Sequence, residues 1–520
     1  MRRDIFDQRL LFFRSHCRIL PLVAAFLCTS AALAQQSTSG DNPPLPIRGT
    51  PAGASSAAPQ PAIAGQTQLA PINYGKPKKA PRLLPKRNGA QAIRPLPALQ
   101  PYRTAPGQRR RNPLLAVQAP GPTVAAIPEL RQPRRAAVEA NPYAPVGFDA
   151  GSLRLTPYVE SDLGYDGNAS RASSQVRGSF FARGEAGVTA RSDWSVHEFD
   201  ATLKGGYSDY FTSRDASRPD ASVVANARVD ATRDTAFDLQ GRFTLDSQNS
   251  STPGLLTGTT LRARPLTYAY GASAGVTEKV NRLTLSLRGS IDRYTYEDAS
   301  LAGGQTIVLS NQNYNAFGLR GRAGYEITPG ITPFVDVAVD TRRYDSTLDG
   351  SGFARNSNGY ALRAGSSFEL TRVLTGEVSA GYSRRSYADR RLADLSGPAF
   401  DASLVWSASP LTTVTLRGVT DIAESSIANA SGALTRRVSL EVAHSLMRNF
   451  TLSGIASYTN TDYQGVNLRE NLYSGTLRAD YNLTRSIVIR SSFTHERLKS
   501  SAPGSDYTAN TVLLGLRLQR

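Results

Sequence analysis

Cysteine and histidine are nearly missing from this chain of 520 residues, which contains 2 Cys and 4 His. Both cysteines, Cys17 and Cys28, lie in the first 34 residues. The rest of the chain can therefore form no disulfide and offers no thiolate nucleophile or cysteine zinc ligand. His16 falls in the same stretch, and the other three histidines are not placed to act as a catalytic base. We expect no enzymatic activity, no bound metal and no cofactor.

A long apolar run is a second absence. Beyond the first 34 residues, no stretch approaches the roughly 18 consecutive apolar residues that a membrane-spanning helix needs. The first 34 residues combine a basic leader with an apolar core from Ile19 to Leu33, and Ala34 ends a small-residue sequence before Gln35. This order of features predicts a secretory signal peptide over residues 1–34, cleaved between Ala34 and Gln35.

An excess of one charge sign is confined to the middle of the chain. The formal net charge is +18, but residues 146–520 hold 40 basic and 37 acidic side chains. Residues 35–145 hold 15 basic and 3 acidic side chains and 21 of the 31 prolines. Such a composition predicts a disordered periplasmic segment rich in Pro, Ala and Arg. Its basic clusters suit anionic lipid head groups, an acidic polymer or peptidoglycan, or belong to a plain solvated spacer.

Residues from about 152 to 520 alternate apolar and polar side chains with a period of two. The stretch from Leu283 to Arg288 reads LTLSLR, with the leucines on one parity and Thr, Ser and Arg on the other. Successive side chains of a strand point to opposite faces, so the pattern makes one apolar and one charged face on nearly every strand. It predicts an all-β fold: a transmembrane antiparallel β-barrel over residues 146–520, with lipid outside and water inside.

Short connections alternate with longer polar stretches, as periplasmic turns alternate with extracellular loops in outer-membrane barrels. Eight short turns between nine hairpins predict roughly 18 strands, with 16 as the alternative. The turns lie near residues 192–195, 233–235, 278–281, 327–330, 370–373, 408–410, 446–449 and 483–486. The alternation is less regular near Ile422 and Leu434.

Aromatic residues near the strand ends predict girdles at the two membrane interfaces. They are Trp194, Tyr207, Tyr210, Tyr325, Tyr382, Trp406, Phe450 and Tyr481.

Charged side chains on the inward parity are the candidate functional residues, because they would line an aqueous lumen. The barrel prefers Arg over Lys, which suits planar, multidentate contacts with carboxylates or polyanionic solutes. The lumen-lining candidates are Arg154, Glu160, Asp162, Arg183, Glu185, Arg228, Arg242, Arg320, Arg322, Asp336, Arg363, Arg417, Arg478, Arg490 and Arg517.

Four short motifs carry a family resemblance. They read NPYAPVGF from Asn141 to Phe148, GSLRLTP from Gly151 to Pro157, GYDGN from Gly164 to Asn168, and LGLRLQR from Leu514 to Arg520. In these motifs, residues 141–520 resemble the Putative beta-barrel porin 2 family. The resemblance implies a large barrel in the outer membrane of a Gram-negative cell, associated in some members with exopolysaccharide secretion. It transfers no catalytic residue.

The leading hypothesis is a porin-like channel for the passive passage of solutes. Two alternatives stay open: a barrel of an exopolysaccharide secretion system, and a structural or adhesion barrel with a plugged lumen. The expected partners are outer-membrane lipids and lipopolysaccharide, the barrel assembly machinery, and peptidoglycan or polysaccharide-export proteins. We expect no nucleic-acid partner, because the chain is predicted to be exported.

Overall fold

The computed structural model describes residues 142–248, 261–301, 303–371, 373–425, 427 and 429–520. The predicted signal peptide with its cleavage site, and the predicted disordered segment up to residue 141, lie outside the described residues. Within them, no helix is long and apolar enough to cross a membrane. Two short 3-10 helices, Arg214–Ala216 and Ser310–Gln312, lie in connections between strands.

The described residues are otherwise dominated by β-strands. In chain order, the strands are β1 (Phe148–Ala150), β2 (Leu153–Asp166), β3 (Ser179–Ser192), β4 (Glu198–Tyr210), β5 (Arg218–Asp230), β6 (Thr235–Ser247), β7 (Leu266–Val280), β8 (Leu283–Tyr296), β9 (Ala299–Ser300), β10 (Thr306–Ile307), β11 (Tyr314–Tyr325), β12 (Ile331–Tyr344), β13 (Ser357–Thr371), β14 (Leu374–Tyr387), β15 (Leu395–Ser409), β16 (Thr412–Glu424), β17 (Gly432–Met447), β18 (Phe450–Gln464), β19 (Leu468–Asn482), β20 (Ile487–Ser500) and β21 (Tyr507–Gln519).

Eighteen of these strands form a closed antiparallel barrel, which confirms the predicted count. Each long strand pairs with the next along the chain, and β8 pairs with β11 past the small β9–β10 hairpin. The barrel closes where β2 pairs with β21, from Tyr158 opposite Gln519 to Asp166 opposite Thr511. All eight predicted short turns fall between paired strands, so both ends of the barrel chain lie at the short-turn end.

The two faces of the wall separate by parity as the alternation predicts. On β12, Val335, Val337 and Val339 are about half exposed on the outside, at 49%, 49% and 47%. Asp336 and Ala338, on the inside, are 1% and 2% exposed. An apolar exterior on a ring of paired strands fits a bilayer, because hydrogen bonds between neighbouring strands satisfy the backbone away from water.

Exposed aromatic side chains occur at two levels of the outer surface. Those near the short-turn end are Trp194, Phe237, Tyr325, Trp406 and Tyr481. Those near the long-loop end are Tyr165, Phe180, Tyr207, Tyr270, Phe317, Tyr360, Tyr382 and Phe400.

Tyr210 was wrongly predicted to belong to a girdle. Its side chain is 2% exposed and stacks on Phe181 inside the barrel, with ring centroids 4.8 Å apart. Tyr207 and Tyr210 are three residues apart on one strand, so they must point to opposite faces. The outward position of Tyr207 therefore sends Tyr210 inward.

The wall is interrupted between β15 and β16. Their pairing ends with Asp401 opposite Val419, whereas β16 and β17 stay paired up to Glu424 opposite Gly432. The stretch Leu395–Phe400 of β15 pairs with β14 alone among the described residues. The end of the β16–β17 hairpin has left the β15 edge. We call its described residues, 420–425, 427 and 429–436, the inner tip.

The inner tip lies inside the barrel. Leu434 shares the outward parity of Val438 and Leu440, which are 45% and 41% exposed, yet Leu434 is only 8% exposed. It packs against the lumen side of Gly397 on β15. Residues Ala423, Ile427, Ala430 and Ala433 of the hairpin form a buried cluster with Tyr463 of β18. These contacts place the hairpin end behind the wall and not within it.

Candidate functional site in the barrel lumen

Charged side chains on the inward parity join into networks, and the largest crosses the closure of the barrel. Glu160 of β2 is 7% exposed and accepts hydrogen bonds from Arg490 Nη1 at 2.8 Å and from Arg517 Nε at 2.7 Å. Around this carboxylate, acids and bases alternate over strands β3, β5 and β19–β21. In order, the chain of ion pairs is Asp220, Arg183, Glu185, Arg517, Glu160, Arg490, Asp480 and Arg478.

Tyr158 and Gly515 complete this network. The Tyr158 hydroxyl donates to Glu185 Oε1 at 2.7 Å, and the Arg517 guanidinium lies 3.8 Å from the centroid of the Tyr158 ring. A Cβ on Gly515 would meet the side chain of Asp162, so a substitution at this glycine would force that buried carboxyl group to move. Buried charges are stable only when paired and hydrogen bonded. The network therefore stabilises the line where the first and last strands meet.

A second network lies on the opposite wall, on β11, β12 and β14. Asp336 is 1% exposed and pairs with Arg320 at 2.5 Å and Arg322 at 3.2 Å. Arg322 also reaches Glu377 at 2.9 Å, and its guanidinium lies 3.9 Å from the Phe334 ring centroid. These arginines pair with carboxylates of the wall, and their side chains lie against it.

Further lumen side chains on β5 and β6 are also paired but stay partly exposed. Arg242 pairs with Asp292 at 2.5 Å, with side-chain exposures of 18% and 5%. Arg228 bonds to Asp230 at 2.7 Å, and Gln240 bonds to Asn226 at 2.9 Å. This side of the barrel therefore presents partly accessible polar side chains to the lumen.

A third network attaches the inner tip to the inside of the wall. Glu424, 1% exposed, pairs with Arg342 of β12 and lies 3.9 Å from Arg385 of β14. It also accepts a hydrogen bond from the Tyr344 hydroxyl at 3.1 Å. Arg342 donates to the Ile422 carbonyl at 3.1 Å. These contacts join β16 to β14 and β12, which lie two and four strands away along the wall. Contacts over such a separation are possible only across the lumen.

Arg355 makes a further attachment from the loop after β12. It donates to the backbone carbonyls of Ser425, Ile427 and Ala430, the last two at 3.0 Å and 2.8 Å. Its Nε pairs with Asp349 at 2.5 Å. A buried guanidinium thus orders the turn of the hairpin, and the inner tip narrows the lumen at the long-loop end.

The chain matches a known family over the whole barrel. A family model described as Putative beta-barrel porin 2 covers residues 141–520. The chain belongs to this family. It is a porin-like β-barrel of the outer membrane. No curated protein matches it at a significant level.

Three solved structures that are similar to this family member come from two bacterial species. OccK3 (OpdO) of Pseudomonas aeruginosa is 13% identical, with a TM-score of 0.37, and the match covers 70% of this chain and 96% of that one. The outer membrane protein opdK of the same species is 10% identical, with a TM-score of 0.37 and coverages of 70% and 99%. The siderophore receptor PirA of Acinetobacter baumannii is 8% identical, with a TM-score of 0.36 and coverages of 70% and 80%.

The sequence-derived lumen residues of this family member occupy different settings. Arg154 lies at the short-turn rim, where it pairs with Asp149 at 2.9 Å and is 61% exposed. Arg363 and Arg417 are half-buried on β13 and β16. Those that lie in the first two networks are Glu160, Arg183, Glu185, Arg320, Arg322, Asp336, Arg478, Arg490 and Arg517. In the part of the chain described, no group of three or more His, Cys, Asp or Glu could hold a metal ion.

The residues that attach the inner tip to the wall were not among those predicted from the sequence. They are Arg342, Arg355, Arg385 and Glu424. The available signals were the weak alternation around Ile422 and Leu434, which are opposite each other in the hairpin, and a proline inside β15.

Proposed function

We propose that this porin-like barrel is a channel for the passive passage of small polar solutes. The observation that carries the proposal is a closed barrel whose inner face is charged, with partly accessible polar side chains on β5 and β6 that include Arg228 and Arg242. A solute path along that side would be hydrated and nearly neutral, because acids and bases alternate. Short turns are periplasmic in such barrels, so we also propose that residues 35–145 extend into the periplasm.

A structural barrel with a plugged lumen is the second candidate, and the inner tip favours it. The hairpin end and the arginines around it are almost fully buried, so they obstruct part of the bore. Polysaccharide export is the other alternative, and an exported polymer would have to pass the inner tip in the lumen.

Planar-bilayer recording of the purified, folded barrel separates these candidates. Folding is checked by the shift in gel mobility between unboiled and boiled samples. A channel gives discrete conductance steps with weak ion selectivity, because the lumen charges are balanced. The absence of steps from well-folded protein would contradict the channel proposal and favour the plugged barrel.

A further inference from the structure

We propose that the inner tip is a gate of the proposed channel, exchanging between the lumen and the free edge of β15, and that Pro398 and Glu424 set the balance. This inference rests on the proposed function. In the closed arrangement, described above, residues 420–424 lie in the lumen. In the open arrangement, they complete the wall beside Leu395–Phe400.

The free edge of β15 matches the residues that have left it. The register between β15 and β16 ends with Asp401 opposite Val419. Continued without a shift, it would set Phe400 opposite Thr420 and Ser396 opposite Glu424. The edge is thus long enough to receive the departed strand end, and the partner is the next segment of the same chain.

The side-chain pattern of the departed strand end also fits the wall. In the continued register, Ile422 would point outward beside the lipid, and Asp421 and Ala423 would point into the lumen. Glu424 would point outward only at the last residue of the strand, at the water-exposed rim. The apolar Ile422 would thus face lipid and the charged Asp421 water, although both are folded into the lumen.

Pro398 weakens the pairing that the open arrangement would need. The Ser407 N–H donates to the Val373 carbonyl at 2.7 Å on the β14 side, so odd-numbered residues of β15 bond to β14. Even-numbered residues then direct their N–H groups toward β16. Pro398 is one of these and has no N–H, so the open arrangement lacks a hydrogen bond in the middle of the continued pairing.

When the inner tip is released, its arginine partners are not left without a carboxylate in the lumen. Arg385 also pairs with Asp340, and Arg355 with Asp349 at 2.5 Å. Arg342 lies 3.7 Å from Asp340. Since Arg342 and Arg385 share Asp340 and Arg355 keeps Asp349, the main loss on opening is the set of contacts to Glu424 and to the hairpin carbonyls. The gain is a completed strand edge.

Paired cysteines test the two arrangements directly. Gly397→Cys with Leu434→Cys traps the closed state, because a Cβ at position 397 lies 3.9 Å from Leu434 Cγ. Ala399→Cys with Asp421→Cys traps the open state, because these positions would face each other at a non-hydrogen-bonded pair, where side chains are closest. The parent chain, treated identically, controls for Cys17 and Cys28.

The expected result is that both pairs form disulfides in folded barrels under mild oxidation, measured by thiol labelling. The oxidised 399/421 barrel should conduct severalfold more than its reduced form, and the oxidised 397/434 barrel less than its reduced form. If the 399/421 pair stays reduced in folded barrels while the 397/434 pair oxidises, the tip does not reach the wall and the gate is refuted.

Two single substitutions test the residues that set the balance. Pro398→Val restores the missing donor, and Glu424→Gln removes the charge that Arg342 and Arg385 hold. Each should raise the mean conductance severalfold, whereas Pro333→Val, a strand proline on β12, should not. Unchanged conductance in both variants would contradict the assignment. If no variant conducts, the channel proposal fails. Disulfide formation still decides whether the inner tip exchanges between the lumen and the edge of β15.

Discussion

Glu160 and Glu424 are both buried lumen carboxylates beside two arginines, yet they differ in where those arginines come from. The partners of Glu160 lie on β20 and β21, which follow β2 directly around the closed wall. The partners of Glu424 lie on β12 and β14, four and two strands from β16. The first set of contacts runs along the wall, and the second crosses the lumen.

This difference separates two uses of the same chemistry. Ion pairs between neighbouring strands fix the register and closure of the sheet, so their loss weakens the barrel itself. Ion pairs across the lumen hold the inner tip in place. Their loss would release the tip and leave the pairing between the other strands intact. Substitutions at the two sites should therefore change different properties.

The largest effect is expected from Glu160→Ala. Two buried guanidiniums would lose their shared carboxylate at the closing strands, and breaking a buried pair in this way costs roughly 3 to 5 kcal/mol. The urea midpoint of the folded barrel, followed by its gel mobility without boiling, should fall markedly. Glu424→Ala is the matched control, and an equal fall in that variant would remove the distinction.

Arg342→Gln should give the converse result. Arg385 still lies near both Glu424 and Asp340, so the urea midpoint should fall less than in Glu160→Ala. The inner tip loses its contact to the Ile422 carbonyl, so the conductance should rise severalfold. Arg517→Gln, at the closure, is the comparison: a similar rise there would show that conductance follows barrel stability and not the tip.

Arg242→Gln should change ion selectivity only. Its side chain is 18% exposed on the accessible side of the lumen, and removing it leaves Asp292 to favour cations there. The reversal potential in a salt gradient should shift modestly toward that of a cation-selective pore. A shift of the same size in Arg490→Gln, which lies in the buried closure network, would argue against a path along β5 and β6.

The smallest effect is expected from Asp389→Asn in the loop between β14 and β15. The Arg391 side chain and N–H, with the Ala354 N–H, hold the pKa of Asp389 below its ordinary value. A depressed pKa stabilises the folded loop above the unfolded value of about 4, and the effect is lost as pH falls through the folded value. Amide exchange at Arg391 and Ala354 should quicken in the variant at pH 6, and match the parent in strong acid.

The strand count and the turns could be predicted because each strand shows the period-two pattern independently of the others. A charged residue moved to the lipid face by a one-residue slip is costly, so the alternation fixes the register as well as the strands. The position of the inner tip could not be predicted in this way. The alternation is only weaker around Ile422 and Leu434, and Pro398, which lacks a backbone donor on the neighbouring strand, is the other sign of the break.

The partners of the lumen charges were also beyond the sequence pattern. Parity states that Glu160 and Asp336 face inward, but not which arginine each meets. Arg320 and Arg322 reach Asp336 from the neighbouring strand, whereas Arg342 reaches Glu424 across the bore. Such distances depend on the curvature of the closed wall, which is a property of all its strands together.

The pairing of β2 with β21 has a consequence for how the barrel assembles. Among the described residues it is the one long-strand pairing that joins distant parts of the chain, Asp166 with Thr511, since the others link neighbours in sequence. The wall can therefore grow hairpin by hairpin through local steps, with ring closure as a single late, non-local event. Until closure, the growing sheet has two open edges. Strand β1 covers part of one of them, because it pairs with Leu153 to Leu155 of β2. A failed closure would leave the remaining edge residues able to pair with another copy, so misassembled dimers should join at this pair of strands.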